Sequence, residues 1–333
     1  MNLVIITNKR YNTDFRKYLI RAAENSGHKT VHVYSWDKVI ISHGGKESRT
    51  YTSEVDPKTI YAEVHRLIGD GKTVILTGMG GYTTPFAMQA RKHFPDSLFI
   101  YDVYDDFRYE KCRWELVTRY LNDLRWRFYC DKTMVLEKGL QRLYPSSFHL
   151  NNASHLRPLP YNGDPTDHRL VYIGSIDRRV NFDLLGHLAA QSGVTLDIYG
   201  SCHCDSIDAE EFLQNLLQQH PNVTFKGPYD NDDLPNILSR YRIGIVPYKV
   251  NHRLTRHVNP DKIYHYLNSG LEVIASPIPQ ALQLADYLHL VHVPQDWATV
   301  LDEAAHKPRA GKNWPAEDFT WVKRWKELQT LVG

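Results

Sequence analysis

The stretch Asn251–Pro277, NHRLTRHVNPDKIYHYLNSGLEVIASP, decides how the rest of the chain is read. It opens polar and basic, passes a proline, carries Ile263, Tyr266 and Leu267 at helical spacing, stops at Gly270, and enters the β-rich run Val273-Ile274-Ala275. The order is loop, helix, glycine cap, buried strand. Pro260 at the first helical turn costs no hydrogen bond and leaves the amides of Asp261, Lys262 and Ile263 pointing out of the helix end. Lys262 adds a full charge to the partial positive charge of the helix dipole, which together suit a phosphate or diphosphate. The plain alternative is a surface helix with a solvated lysine.

Working outward, strand and helix signals alternate on both sides of this stretch. Upstream, Leu170–Ile173 runs into Gly174-Ser175, followed by a helix from Phe182 to Ser192 and apolar runs at Thr195–Tyr199, Val223–Lys226 and Ile243–Tyr248. The first half repeats the pattern, with strands expected at Asn2–Thr7, His32–Tyr34, Thr73–Thr77 and Ser97–Tyr101, and helices at 14–26, 57–68 and 86–93. Such alternation predicts open parallel sheets covered by helices. The pattern restarts after the proline-rich exit 158–162, so the expected division is a first domain 1–165, a second domain 166–315, and a C-terminal helix 316–333. Gly78-Met79-Gly80-Gly81 ends one strand in a flexible turn without a GxGxxG pattern.

Three carboxylates, Asp102, Asp105 and Asp106, follow the strand that ends at Tyr101. In open α/β sheets ligands bind beyond the carboxyl ends of strands, so these are the catalytic candidates, with Asp105 first, Asp106 second and Asp102 third. Helix capping is the competing role for Asp105 and Asp106. The following stretch, 107–132, is helical, basic and aromatic. It suits anionic lipid head groups or a lipid-linked acceptor, though arginines on a solvated face with aromatics in the core is the commoner arrangement. Cys202-His203-Cys204 matches no structural zinc spacing, and no metal or cofactor is expected.

The 333 residues suffice for two domains, and a net charge of +2 argues against a nucleic-acid binder. Four cysteines, no apolar leader and no spanning run predict a cytoplasmic protein whose membrane contact, if any, is peripheral at the inner face.

The second half resembles the GT-B glycosyltransferases, in particular bacterial enzymes that build capsule, exopolysaccharide and O-antigen (lipopolysaccharide) chains. The likeness rests on Tyr172-Ile173-Gly174-Ser175-Ile176-Asp177-Arg178-Arg179, on the strand PNVTFKGP, and on Pro260, Lys262, Tyr266, Leu267 and Gly270 at the spacing of the family's donor helix. It implies an α/β fold of two Rossmann-like doubly wound domains facing a cleft, the first binding the acceptor and the second the nucleotide-sugar, with the C-terminal helix packing back toward the first. It also implies a donor site in which Lys262 and the helix amides hold a diphosphate opposite Gly174 and Arg179, completed by Thr255, His257, Asn259 and His265. Where the family carries a glutamate for the ribose hydroxyls this chain has His265, and where retaining members carry another it has His257. A neutral imidazole lacks the bidentate reach of a carboxylate, so nucleotide and stereochemistry stay open. The resemblance implies transfer of a sugar from a nucleotide-sugar, UDP-linked, to a saccharide or lipid-linked saccharide acceptor in cell-surface polysaccharide synthesis, without a metal. A GT-B-fold sugar-nucleotide epimerase and a non-catalytic nucleotide-sugar-binding protein are the alternatives.

Overall fold

The computed structural model describes residues 1–52, 54–78, 84–106, 113–160, 169–202, 207–306 and 313–333, which form two compact units, Met1–Asn151 with Trp321–Gly333, and Asn152–Thr320. The glycine turn from 79, the start of the basic helix at 107–112, His203-Cys204 and the expected boundary at 165 lie outside the described residues.

Unit 1 holds the strands β1 (Asn2–Thr7), β2 (Thr30–Ser35), β3 (Val39–His43), β4 (Lys46–Tyr51), β5 (Thr73–Thr77), β6 (Leu98–Val103), β7 (Lys132–Val135) and β8 (Phe148–His149) in the order β4-β3-β2-β1-β5-β6-β7-β8. From β2 to β8 every pairing is parallel, and β3 and β4 extend the edge as an antiparallel hairpin. Its turn is Gly44-Gly45, with φ of 58° and 76°, the positive pair that a type I′ connection demands. Helices α1 (Lys17–Asn25), α2 (Pro57–Ile68), α3 (Ala90–His93) and α4 (Arg113–Tyr129) accompany the sheet. The β1, β5 and β6 strands are buried along nearly their whole length, as strands covered on both faces must be.

Unit 2 is a six-stranded, all-parallel sheet in the order β11-β10-β9-β12-β13-β14, formed by β9 (Arg169–Ile173), β10 (Thr195–Tyr199), β11 (Val223–Gly227), β12 (Ile243–Val246), β13 (Glu272–Ala275) and β14 (His289–Leu290). Its helices are α5 (Phe182–Ala189), α6 (Ile207–Gln219), α7 (Leu234–Leu238), α8 (Asp261–Ser269), α9 (Pro279–Gln283) and α10 (Trp297–His306). Each sheet is wound outward from its first strand in two directions, which puts a switch point between β1 and β5 in unit 1 and between β9 and β12 in unit 2.

The division between units falls at Asn151/Asn152, earlier than residue 165, because the segment after it is tied into unit 2. Leu156 joins the second core, Ser154 bonds His265, and the Leu159 amide donates to the Ser269 carbonyl at 3.2 Å. Unit 2 likewise runs past residue 315 to Thr320, since Phe319 stacks on Tyr264 and Trp314. The last helix, α11 (Trp321–Val332), lies in unit 1 against α1, burying Trp321, Trp325 and Leu328. Lys72 and Lys132 donate to the Val332 and Leu331 carbonyls at 3.0 and 2.9 Å, placing cations on the negative end of that helix.

Candidate active site

On one side of the β9/β12 switch point the neighbouring strands β9, β10 and β11 end at glycines of positive φ. Gly174, Gly200 and Gly227 have φ of 115°, 149° and 76°. The Gly174 amide donates to the Tyr199 carbonyl and that of Gly200 to Gly227, and a Cβ on Gly200 would meet the Gly174 oxygen at 1.9 Å. This crowding leaves the end of β9 as bare backbone beneath α8.

The helix is pinned there by Tyr266. Its ring lies on Gly244, where a Cβ would come within 2.4 Å, and its hydroxyl accepts from the Ile173 amide at 2.9 Å and donates to the Val171 carbonyl at 3.3 Å. The β9/β12 ladder stops at Gly244↔Val171, and the phenol serves the amide that the splayed strands leave over. Pinning Tyr266 fixes Lys262, one turn earlier on α8. Lys262 is 5% exposed, its ammonium lies 4.0 Å from the centre of the Tyr172 ring and 5.1 Å from that of Tyr248, and no described carboxylate is within ion-pair distance. A Cβ on Gly174 would stand 2.7 Å from that nitrogen. The N-terminus of α8 carries no side-chain cap. A buried ammonium without a counter-ion, beside bare amides and uncapped helix dipoles, is arranged to neutralise an anion.

Arg179 is drawn to Asp177, with Nη2–Oδ2 at 2.6 Å and Nε–Oδ1 at 3.0 Å. Burial raises the Asp177 pKa, but Arg179, with help from Lys262, outweighs it and holds the carboxylate below its ordinary range. Arg179 therefore meets the site as half of an ion pair, 5.9 Å from the Tyr248 ring. His265 is buried, one ring nitrogen engaged by the Ser154 hydroxyl at 2.9 Å and the other 3.8 Å from Asp261 Oδ2; burial lowers its pKa and keeps the imidazole neutral. Thr255 departs from the expected donor set. It is fully buried, and its hydroxyl donates to the Lys249 and His252 carbonyls, so it braces the loop ahead of α8 and has no proton left for a ligand. Asn259 is buried and its carbonyl accepts from Asn152, while His257 is half-buried at the end of the Arg253–Arg256 turn. The sequence reading quoted Tyr172 and Asp177 in the motif without giving either a role in the site, and it missed Tyr248 and Ser154. Of these Tyr172 had a signal, since it stands two residues before Gly174 and so on the same face of β9.

In unit 1 the three aspartates separate. Asp102 is fully buried in β6 and takes both Arg16 Nε and Nη2, at 2.8 and 2.7 Å, with Arg16 itself fully buried. It is a structural ion pair, and this removes Asp102 from the catalytic set, because a bidentate carboxylate sealed from solvent has no access to an acceptor hydroxyl. Asp105 is half-buried and its Oδ1 accepts from the Asp106 amide at 2.9 Å; Asp106 is buried. Among the described residues no cluster of three or more His, Cys, Asp or Glu is placed to hold a metal ion.

No protein-family profile matches the chain. A stretch of 115 residues is 27% identical to TuaH of Bacillus subtilis (strain 168), assigned as a teichuronic acid biosynthesis glycosyltransferase; it covers 34% of this chain and 28% of that one, so the chain spans under a third of that relative's length. Among solved structures, sucrose-phosphate synthase from Thermosynechococcus elongatus superposes with a TM-score of 0.69 at 16% identity, over 100% of this chain and 98% of that one. HepE of Anabaena, in complex with UDP and glucose, gives 0.66 at 11% over 99% and 98%, and the lipopolysaccharide outer core galactosyltransferase WaaB gives 0.61 at 11% over 100% and 99%. Two doubly wound units, a lysine-bearing helix over a glycine-ended strand, and these superpositions along the whole chain lead to one architecture: the chain has the fold of the GT-B glycosyltransferases.

Proposed function

We propose that the chain is a glycosyltransferase that moves a sugar from a UDP-linked donor to a saccharide or lipid-linked saccharide acceptor in cell-surface polysaccharide synthesis. The observation that carries this reading is Lys262, a buried ammonium without a carboxylate partner among the described residues, facing Gly174 at the β9/β12 switch point. Charge that develops on the departing diphosphate is met by Lys262 and the first amides of α8, so the transfer needs no metal. Further support comes from HepE, which holds UDP and glucose in its crystal structure, and from the teichuronic acid role assigned to TuaH. His265, neutral and oriented by Ser154, supplies one hydrogen bond to the nucleoside. Asp105, or failing it Asp106, takes the acceptor proton. The protein works in the cytoplasm, against the inner face of the membrane when its acceptor is lipid-linked.

The test is titration calorimetry with UDP, ADP, GDP and CDP, followed by an assay for UDP release from UDP-sugars. Tight binding of UDP is expected, and Lys262→Ala should weaken it by about 1.5–3 kcal/mol, the loss of a charge-assisted contact. Equal affinity in the variant excludes Lys262 as the phosphate ligand. Binding of UDP-sugars with no cleavage under any acceptor would reduce the chain to a binding protein.

A further inference from the structure

Helix α4 turns Asp123 and Trp126 inward. Asp123 is fully buried, receiving hydrogen bonds from the Tyr101 and Tyr144 hydroxyls at 2.9 and 2.8 Å and an ion pair from Arg127 at 2.7 Å, while Trp126 fills the core beside it. The opposite side therefore faces solvent, and it is apolar. Trp114, Val117, Leu121, Leu124 and Phe128 recur at alternating spacings of three and four, which lines them up along one face of the helix. Trp114 is 79% exposed, Phe128 88%, Leu121 50% and Val117 44%. A continuous apolar ridge roughly 20 Å long, at 1.5 Å per residue, is uncommon on a surface that has no partner.

We propose that this ridge is the surface by which the protein rests on an anionic bilayer. The spacing also fits pairing with a second copy, but the charges beside the ridge oppose that. Its flanking positions carry Thr118, Tyr120, Arg125 and Arg127, with no acid among them, and the exposed acid Glu115 sits back in the first turn. Two such helices packed together would set Arg125 against Arg125 with no acid on the described flanks to pair it. Arg125 is exposed and has no carboxylate partner among the described residues, so lipid phosphates supply the missing anions. Aromatic side chains with an apolar body suit the depth of head groups and upper acyl chains, and no described helix is long and apolar enough to cross the bilayer. The inference deepens the proposed function only in placing a lipid-linked acceptor on the same surface; the ridge binds lipid whether or not the chain transfers sugar.

The experiment is co-sedimentation of the full chain with vesicles of phosphatidylcholine alone and of phosphatidylcholine mixed with phosphatidylglycerol. The wild type and a Trp114→Ser/Leu121→Ser/Phe128→Ser variant are compared, with sedimentation velocity and UDP titration on both. All three positions are exposed, and unchanged circular dichroism and melting temperature establish that the variant is folded. The wild type is expected to pellet with the mixed vesicles, less so as salt is added, and the variant to bind them about tenfold or more weakly. A wild type that stays in the supernatant, a variant that binds equally, or a dimer that the triple substitution converts to monomer each overturns the proposal. Failure to bind UDP with vesicle binding intact would overturn the transferase reading and leave this one standing.

Discussion

Asp102 and Asp105 stand three positions apart in one acidic run, and the molecule uses them in opposite ways. Replacing Asp102 with asparagine leaves the Arg16 guanidinium buried without its counter-charge, and a loss of about 3–5 kcal/mol in urea denaturation of unit 1 is expected, with UDP affinity unchanged. Asp105→Asn should leave stability within about 0.5 kcal/mol and cut turnover roughly a hundredfold. Turnover that survives Asp105→Asn moves the base to Asp106. The sequence alone could not separate these roles, because the partner of Asp102 lies 86 residues away and nothing local to either residue announces the pairing. Lys262 was legible for the opposite reason: proline, lysine and glycine at helical spacing define a cation at a helix entrance from local chemistry. Thr255 lay in a readable stretch and was still misassigned, since the carbonyls that capture its hydroxyl depend on how the loop closes.

Among the elements, parallel strands were readable as unbroken apolar runs, and the β3–β4 hairpin was there to be read in Gly44-Gly45 between β-rich runs. Helix α4 shows the limit of periodicity. A two-sided helix is visible in its spacing, but which side faces inward was settled by Asp123, whose burial is permitted by two tyrosines and an arginine from elsewhere in the fold and in the helix itself. The expectation that its aromatics form core holds for Trp126 and fails for Trp114 and Tyr120. Helix α8 offers a direct test of how it is anchored. Tyr266→Phe removes the acceptor of the Ile173 amide, and a destabilisation of unit 2 by about 1–3 kcal/mol is expected, with weaker UDP binding because Lys262 rides on the same helix. A variant as stable as the wild type would mean that ring packing on Gly244 alone holds the helix.

Over the whole molecule the histidines act together. Burial is the leading cause that holds His28, His93, His149, His252 and His265 below the ordinary value of 6.5, His149 at about 4. Between these values the unfolded chain takes up protons that the folded chain refuses, so stability falls as pH drops from 6.5 through about 4. Guanidinium midpoints near neutrality and at about pH 5 measure it, and His149→Gln should flatten part of the slope. A flat profile in the wild type would show that these rings ionise freely in the folded state. The domain plan was legible in the restart of the β-α pattern; the position of the boundary was not, because residues 152–160 carry no regular pattern and are held by bonds to α8. Trp325→Ala tests the last helix: about 3–5 kcal/mol should be lost from unit 1, with amide exchange accelerated in β1 and α1 and unaltered in β9 and β12.

The assignment of α11 to unit 1 has a bearing on how the protein is made. On the ribosome β1 and α1 emerge before unit 2, and the strip that covers α1 emerges after it. Unit 2 is contiguous and can fold as it appears, whereas α1 waits with its apolar flank uncovered until Trp321–Gly333 are free. Unit 1 thus starts before unit 2 and closes after it, which leaves its apolar surface open for longer during synthesis.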